Sequence, residues 1–454
     1  MSNKNSLKIP SVRKYIITAC HIILKNDIKE EKPIQFSAFA EEFMKVCGII
    51  AEYNPFHNGH LNQIKEAREL TGADKIIVIM SGDFTQRGCP AFMDKYERTK
   101  MALKGGADLV LELPLYYSVG SAEFFASGAI AILDKIGVTD TLCFGSECGD
   151  IDILNDIANI LYDQKEELHD EIREKMKTGL NYPMARAATI EEMIPNSYEH
   201  VQAMGEPNNI LGFEYLRAIK QRGCSIEPFT NRRIGSGYHE RMMVSTLSSA
   251  MAIRESVYET GELDRVESQV PYFVYDIMKE KYNQTFPIFE EDISAMLKYK
   301  MLLDASTGYT SYVDISSDFS DKILKNLNRY SSFSQFCDLL KSKDITYARV
   351  SRSLLHILLN IRKDRMEMFK ADDYIYYARM LGFREESKDL LTEIKNHSEI
   401  PLISKLADAK NFLGEHALTM LESDVQAAHI YDTLVTEKYH SATISEFSRE
   451  IVRV

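Results

Sequence analysis

The chain has no tryptophan, and its seven cysteines are scattered without any C-x-x-C pair. An odd number of widely spaced cysteines predicts neither a disulfide framework nor a zinc ribbon, and it is typical of a protein from a reducing compartment. No segment approaches the roughly 18 consecutive apolar residues that a membrane-spanning helix requires. We therefore expect a cytoplasmic protein without a membrane partner.

An excess of positive charge is also missing. The 454 residues include 54 Lys and Arg against 67 Asp and Glu, which gives a formal net charge of -13. Attraction to nucleic acid through bulk charge needs a basic excess that neutralises phosphates. DNA is therefore not an expected partner, and any RNA must bind to a local basic patch. The length is sufficient for more than one packed core.

Residues 1–43 precede the first convincing strand. An apolar run at 15–24 follows Arg13 and Lys14, as in a secretory signal, but charged and polar residues come next and no small-residue cleavage site appears. We expect an N-terminal extension of doubtful order, with the natural chain starting at Met44.

Strand and helix patterns alternate over the next part of the chain. Apolar strands are predicted at 46–51, 75–80, 108–113, 141–144 and 225–229, with helices at 59–70, 94–104, 121–135 and 207–222 between them. This alternation predicts an α/β fold with a Rossmann-like parallel sheet and right-handed crossovers. In such sheets, ligands bind beyond the carboxyl ends of the strands.

Two domains are predicted after the extension. The first covers 44–260 and is interrupted near 151–200 by a charged helical insertion. The second covers 261–454 and should be mainly helical, because the strand pattern fades and amphipathic or apolar segments at 272–281, 293–303 and 350–361 take its place.

The loop after the first strand contains two histidines around a glycine, His57-Asn58-Gly59-His60. A helix N-terminus offers free backbone N–H groups, glycine lets a phosphate approach, and each imidazole can donate a hydrogen bond to a phosphate oxygen. These groups together favour stabilisation of charge on an α-phosphate under attack. Histidines that only cap the helix, or that bind a metal, are the alternatives. No third metal ligand lies nearby in sequence, so no metal site is predicted.

Four segments together are far more specific than the histidine pair alone. They read E-Y-N-P-F-H-N-G-H at 52–60, S-G-D-F-T-Q-R-G at 81–88, F-G-S-E at 144–147 and P-N-N-I-L-G at 207–212. In this combination the chain resembles the bacterial tRNA(Met) cytidine acetate ligase family, within the HxGH nucleotidyltransferase superfamily. The resemblance extends from about Met44 into the C-terminal region.

The resemblance implies a HUP-type nucleotidyltransferase fold and an RNA-modifying ligase. Such an enzyme joins acetate to ATP, giving acetyl-adenylate and pyrophosphate, and acetylates N4 of the wobble cytidine (position 34) of elongator tRNA(Met). The resemblance also implies that His57 and His60 are catalytic and that Mg²⁺ accompanies ATP. The implied ATP-binding residues are Ile49, Ile50, Ala51, Glu52, Tyr53, Asn54, Pro55, Phe56, His57, Asn58, Gly59, His60, Leu61, Asn62, Gly145, Asn209, Arg232 and Arg233.

Further candidates follow later strands. The segment 248–254 resembles the second phosphate-binding motif of the superfamily, which makes Ser249 and Arg254 possible phosphate contacts; Met251 replaces a threonine common in relatives. A glycine-rich stretch at 235–237 is predicted to be a closing loop. Three residues after the second strand could orient acetate or cytidine, although Asp83 could instead only cap a turn. They are Asp83, Gln86 and Arg87.

Possible tRNA contacts lie in the C-terminal region. Arg349 and Arg352 are three residues apart on one predicted helix, so their side chains are neighbours on its surface. A solvated helix face is the alternative. We favour RNA because the resemblance requires a surface that binds the anticodon.

Two other functions compete with the ligase. One is a small-molecule adenylyltransferase, against which the long helical region argues. The other is a non-catalytic, nucleotide-dependent RNA-binding protein, against which the intact His57 and His60 argue.

Overall fold

One sheet organises the part of the chain that the computed structural model describes, residues 44–163, 165–180, 182–194, 198–233 and 248–454. The extension at 1–43 and the predicted closing loop at 235–237 lie outside these ranges. The strands are β1 (Val46–Ala51), β2 (Lys75–Ser81), β3 (Leu109–Leu113), β4 (Thr141–Ser146), β5 (Glu227–Arg232), β6 (Ala378–Phe383), β7 (Leu402–Ile403) and β8 (Val452–Arg453).

The strand order is β5-β4-β1-β2-β3-β6-β7, and β8 pairs with β6. Strands β1 to β5 pair with one another in parallel, which confirms the predicted Rossmann-like sheet. The central strands β1, β2 and β3 are almost entirely buried, as expected for apolar strands covered on both faces. The chain runs outward from β1 to β3 and then returns to the other side of β1. The resulting crevice lies beyond the carboxyl ends of β1 and β4.

The helices up to β5 follow the predicted alternation closely. The first begins at the cap His57 and ends at Gly72, whose φ of 66° is the left-handed conformation typical of a glycine helix stop. These helices are α1 (Asn58–Thr71), α2 (Lys95–Lys104), α3 (Leu115–Ser118), α4 (Ala122–Lys135), α5 (Ile151–Asp163), α6 (Lys165–Lys177), α7 (Tyr182–Met193), α8 (Tyr198–Ala203) and α9 (Pro207–Arg222). Four of them, α5 to α8, occupy the segment in which a helical insertion was predicted.

The chain after β5 is mainly helical. Short 3₁₀ helices occur at Asp264–Gln269, Glu290–Ile293, Leu327–Arg329, Glu385–Ser387 and Glu446–Ser448. The α-helices are α10 (Ala250–Thr260), α11 (Tyr272–Lys281), α12 (Ser294–Asp304), α13 (Ser317–Asn326), α14 (Phe333–Leu340), α15 (Tyr347–Leu358), α16 (Lys363–Ala371), α17 (Lys388–His397), α18 (Leu406–Ala409) and α19 (Glu415–Tyr439).

The C-terminal part also extends the sheet, which the sequence did not predict. Strand β6 pairs antiparallel with β3, with Leu109 opposite Phe383 and Leu111 opposite Met380. The fading strand pattern was misleading here, because Arg379 and Gly382 interrupt the apolar run of a buried strand. The domain boundary at 260 stays a prediction, since both parts of the chain contribute strands to one sheet.

A buried network of charged side chains fixes this edge. Lys95 Nζ lies 2.9 Å from Glu112 Oε1 and 3.3 Å from Glu446 Oε2. Arg379 Nη1 lies 2.8 Å from Glu112 Oε2, and Nη2 of the same guanidinium group pairs with the Glu446 carboxylate. Burial opposes ionisation of Glu446, but Lys95 and Arg379 lower the pKa of its carboxyl to about 2. Removing one partner of a buried ion pair typically costs about 3–5 kcal/mol, so these pairs hold β6 against β3.

Candidate active site

His57 and His60 cap helix α1 through a reciprocal pair of hydrogen bonds. The backbone N–H of Gly59 donates to Nδ1 of His57 at 3.0 Å, and the backbone N–H of His57 donates to Nδ1 of His60 at 3.2 Å. The two rings stack with centroids 3.7 Å apart and planes inclined by 23°. Because Nδ1 accepts in each ring, a neutral imidazole must carry its proton on Nε2. The pair therefore presents two Nε2–H donors.

Gly59 makes this arrangement sterically possible. A Cβ atom at this position would lie 2.9 Å from Cε1 of His57, closer than real Cβ atoms come to a neighbour. The sequence motif predicts that Gly59 lets a phosphate approach the backbone. The structure adds a second reason for glycine, which is room for the capping ring of His57.

Both histidines are electrically neutral near pH 7. Burial lowers the pKa of His57 to about 3, and the charges of Arg233 and Arg254 contribute. Burial, His57 and Arg233 lower the pKa of His60 well below its usual value. The positive charge of the site therefore comes from arginines, and the charge of Arg87 also acts on Arg233 and Arg254. Three guanidinium groups near two neutral donors favour a phosphate-bearing ligand.

The structure separates the two arginines after β5. Arg233 is the one whose charge reaches the histidines, and its backbone N–H donates to the Ser146 carbonyl at 2.9 Å. Both side chains are exposed, but Arg232 lies against Gly149, on the loop after β4. A phosphate contact from Arg232 stays a prediction.

The second candidate phosphate motif lies at the start of α10. Arg254 donates from Nη1 to the carbonyl of Asn54 at 2.5 Å, which ties α10 to the loop after β1. Ser249 is the N-cap of α10, where its hydroxyl oxygen accepts from the Ala252 N–H at 3.2 Å. A phosphate contact from the Ser249 hydroxyl stays a prediction.

Arg98 joins the loops after β1 and β2, and it was not among the residues predicted from the sequence. Its buried guanidinium donates to the carbonyl of Glu52 at 2.6 Å, to that of Met93 at 3.0 Å and to that of Gly82. The Glu52 carboxylate in turn accepts from the Gln86 N–H at 2.8 Å. Only three-dimensional proximity identifies this clamp, since Arg98 lies in an ordinary charged helix sequence.

Two aromatic rings pack against His60. The Tyr53 and Phe56 rings lie 4.8 Å and 5.7 Å from the His60 ring, between ring centroids. The remaining predicted ATP residues in the segment 49–62 differ in burial and in hydrogen-bond partners. Ile49, Ile50, Asn54 and Pro55 are buried, Ala51 and Leu61 are half-buried, Asn58 donates to the Ser268 carbonyl, and Asn62 donates to Glu66.

Asn209 holds the loop that follows β4. Its Oδ1 accepts from the backbone N–H groups of Glu147 at 2.8 Å and Cys148 at 3.2 Å. The Glu147 carboxylate accepts from the Asn209 N–H at 2.9 Å, at the start of α9. Gly145 precedes this loop, and a Cβ there would lie 3.0 Å from Cγ of Arg233. The structure thus brings Gly145, Asn209 and Arg233 together, while direct contact of Asn209 with ATP stays a prediction.

Asp83 joins the loop after β2 to the start of α2. Its Oδ1 accepts from the Lys95 N–H at 2.8 Å, and its carboxylate lies beside Lys95 in the buried network. Burial raises the pKa of Asp83 to about 6. Contact of Asp83, Gln86 or Arg87 with acetate or cytidine stays a prediction. The charge of Arg87 acts on Arg233 and Arg254.

Arg349 and Arg352 lie on α15, close to the site. Arg349 is exposed and Arg352 is half-buried. Between them, Ser351 donates from Oγ to the Gly88 carbonyl at 2.9 Å, so α15 contacts the loop after β2 directly.

Within the described residues, no group of three or more His, Cys, Asp or Glu side chains could hold a metal. None of the described helices combines the length and apolarity needed to span a bilayer.

Neutral Nε2–H donors and arginines beyond the carboxyl ends of parallel strands favour a nucleotidyl transferase. The family model described as HIGH Nucleotidyl Transferase matches residues 44–446.

Relatives narrow the class. The chain is 35% identical over 398 residues to a tRNA(Met) cytidine acetate ligase from Clostridium perfringens, covering 86% of this chain and 96% of the relative. It is 39% identical to one from Thermoanaerobacter pseudethanolicus, covering 86% and 95%. Thermotoga maritima TmcAL bound with alpha-thio ATP has a TM-score of 0.82 at 30% identity, covering 90% of this chain and 100% of that one. The chain belongs to the tRNA(Met) cytidine acetate ligase family, and the predicted fold class is confirmed.

The depressed pKa of His57 predicts an acid-sensitive contribution to stability. With a pKa of about 3 folded and about 6.5 unfolded, the unfolded state binds the extra proton between these values. This contribution is complete above pH 6.5 and is lost as the pH falls. Between pH 7 and pH 5, the wild type should therefore lose about 2 kcal/mol more of its free energy of unfolding than His57→Gln does. Urea denaturation at the two pH values measures the difference.

His429→Gln, an exposed position on α19, is the matched control and should keep the wild-type pH dependence. An identical pH dependence in His57→Gln and the wild type would contradict the neutral buried state of His57.

Proposed function

We propose that this chain is an ATP-dependent ligase that activates acetate and acetylates N4 of the wobble cytidine of elongator tRNA(Met). The observation that carries the proposal is the neutral His57–His60 pair beside Arg233 and Arg254. It occurs in a member of a family whose relatives are named for this reaction, and a similar structure was solved with an ATP analogue.

The activation step follows from the charges of the site. An acetate oxygen attacks the α-phosphorus of ATP, the bond to the bridging oxygen of the β-phosphate breaks, and pyrophosphate leaves. The Nε2–H groups of His57 and His60 donate to oxygens of the α-phosphate as negative charge grows there. Arg233 and Arg254 hold the other phosphates, because a guanidinium group pairs well with phosphate oxygens. The histidines need no proton exchange for this role.

The transfer step uses the acetyl-adenylate. The N4 amino group of cytidine attacks the acetyl carbonyl carbon, the bond to the phosphate oxygen breaks, and AMP and a proton leave. Ser351 joins α15 to the loop 86–88, so Arg349 and Arg352 lie on the element beside that loop. This placement supports a tRNA surface in the mainly helical part, 261–454, next to the ATP-binding part, 44–260.

Mg²⁺ is expected to bind with ATP rather than to a protein cage. Magnesium prefers oxygen ligands and often binds through substrate phosphates, whereas the charged side chains that act on the histidine pair are the guanidinium groups of Arg233 and Arg254. When bound, the ion would neutralise charge on the departing pyrophosphate. A tRNA substrate also supports the expected cytoplasmic location.

Removing His60 should abolish activation without unfolding the protein. His60→Ala is expected to lower acetate-dependent pyrophosphate release and tRNA acetylation by about 100–1,000-fold, because a donor to the growing charge is lost. Purified protein is assayed with ATP, Mg²⁺ and acetate, with and without elongator tRNA(Met), and circular dichroism checks the fold.

His416→Ala, on the exposed part of α19, is the control and should keep wild-type rates. Normal tRNA acetylation by His60→Ala would contradict the role of His60 in the activation step. Wild-type transfer of adenylate to a small molecule, without RNA acetylation, would instead establish the small-molecule adenylyltransferase.

Arg349→Ala should weaken the use of tRNA and spare activation. We expect a lower kcat/KM for tRNA and a salt dependence of tRNA binding whose slope is smaller by about one, as for a lost phosphate contact. Pyrophosphate release without tRNA should stay at the wild-type rate. Lys405→Ala removes a similarly exposed cation as a control. Unchanged tRNA binding in Arg349→Ala would remove this residue from the RNA surface.

A further inference from the structure

Glu66 fixes the orientation of the Asn231 side chain. The Glu66 carboxylate on α1 accepts a hydrogen bond from Nδ2 of Asn62 at 2.8 Å and a second from Nδ2 of Asn231 on β5. An ionised carboxylate can only accept hydrogen bonds. The amide nitrogen of Asn231 must therefore face Glu66, and its Oδ1 must face away as an acceptor.

That acceptor has no partner. Oδ1 of Asn231 is buried and receives no hydrogen bond from the residues that the structure describes. A buried polar atom left in this state costs about 1–3 kcal/mol. The position is thus suited to a ligand that supplies an N–H or O–H donor.

The surroundings of Asn231 are residues that the family resemblance assigns to ATP. Gly145 lies opposite Asn231 in the pairing of β4 with β5. A Cβ on Gly145 would lie 3.7 Å from Oδ1 of Asn231 and 3.0 Å from Cγ of Arg233. Glu66 links the same amide to Asn62. The acceptor therefore lies beside Gly145 and close to Arg233.

We propose that Oδ1 of Asn231 reads the nucleoside of ATP by accepting a hydrogen bond from it, and that Glu66 is the positioning residue that aims this acceptor. The inference rests on the proposed ATP-dependent function. Two donors on the nucleoside have the required chemistry, the 6-amino group of adenine and a ribose hydroxyl. The arginines nearby supply only donors, so they suit the phosphates and leave the nucleoside to Asn231.

If the donor is the 6-amino group, the same hydrogen bond would make the site selective for ATP over GTP and ITP. Guanine and hypoxanthine carry a carbonyl oxygen where adenine carries its amine. Two acceptors that face each other repel and leave both unsatisfied. An acceptor held by Glu66 would then reject GTP and ITP without any steric barrier.

The test compares ATP with analogues that each lack one donor. Purine riboside triphosphate lacks the 6-amino group, and 2′-deoxy-ATP and 3′-deoxy-ATP each lack one hydroxyl. The readout is kcat/KM for acetate-dependent pyrophosphate release by the full chain. We expect Asn231→Ala to lower kcat/KM for ATP about tenfold and to leave that of one analogue within about twofold, the loss of one hydrogen bond. The analogue that is unaffected identifies the donor.

Glu66→Gln provides a second variant that keeps the side-chain volume. Its amide can donate to Asn231, so the Asn231 amide can turn and present nitrogen to the ligand. The preference for ATP over the same analogue should fall as in Asn231→Ala, and if that analogue lacks the amine, use of ITP should rise. Poor folding cannot produce either change, because both are ratios between substrates of one preparation.

Asn159→Ala is the matched control, since Asn159 lies on α5 and pairs with Lys220 on the surface. Its substrate ratios should equal those of the wild type. The proposal is overturned if Asn231→Ala changes kcat/KM for ATP and all three analogues by the same factor. Wild-type protein without acetate-dependent turnover of ATP would overturn the proposed function as well, so the two failures are distinguishable.

Discussion

The site depends on the two backbone hydrogen bonds that Nδ1 of His57 and Nδ1 of His60 accept at the start of α1. These bonds cap the helix and fix the ring proton on Nε2, so one arrangement serves both folding and chemistry. Burial and nearby arginines keep both rings uncharged. The histidines therefore act as directed neutral donors, and Arg233 and Arg254 supply the positive charge that phosphates require.

The surrounding contacts fix the positions of the loops at the carboxyl edge of the sheet, next to the histidine pair. Arg98 joins the loops after β1 and β2 through backbone carbonyls, and Asn209 with Glu147 fixes the loop after β4. Farther away, the network around Lys95 and Arg379 fastens β6 to β3. Most of these contacts join segments far apart in sequence, so the geometry of the site is a property of the whole fold.

The sequence predicted the features that have a local signal. Apolar strands at 46–51 and 75–80 and the histidine motif after the first strand were recognisable because neighbouring residues define them. Strand β6 was missed because Arg379 interrupts its apolar pattern, and its burial depends on partners elsewhere in the chain. Asp83 left two roles open, because a carboxylate after a strand can cap a turn or bind a ligand. Asn231 was missed because its role depends on the hydrogen bond from its side chain to Glu66, a residue that is far away in sequence.

The most direct test of this account is the protonation state of the two rings, read from ¹⁵N chemical shifts of histidine-labelled protein near pH 7 and assigned with His57→Gln and His60→Ala. The account predicts that both rings carry a proton on Nε2 and none on Nδ1, and that an ATP analogue shifts the Nε2 signals more than the Nδ1 signals. A proton on Nδ1 of either ring, or an imidazolium in the free enzyme, would contradict it.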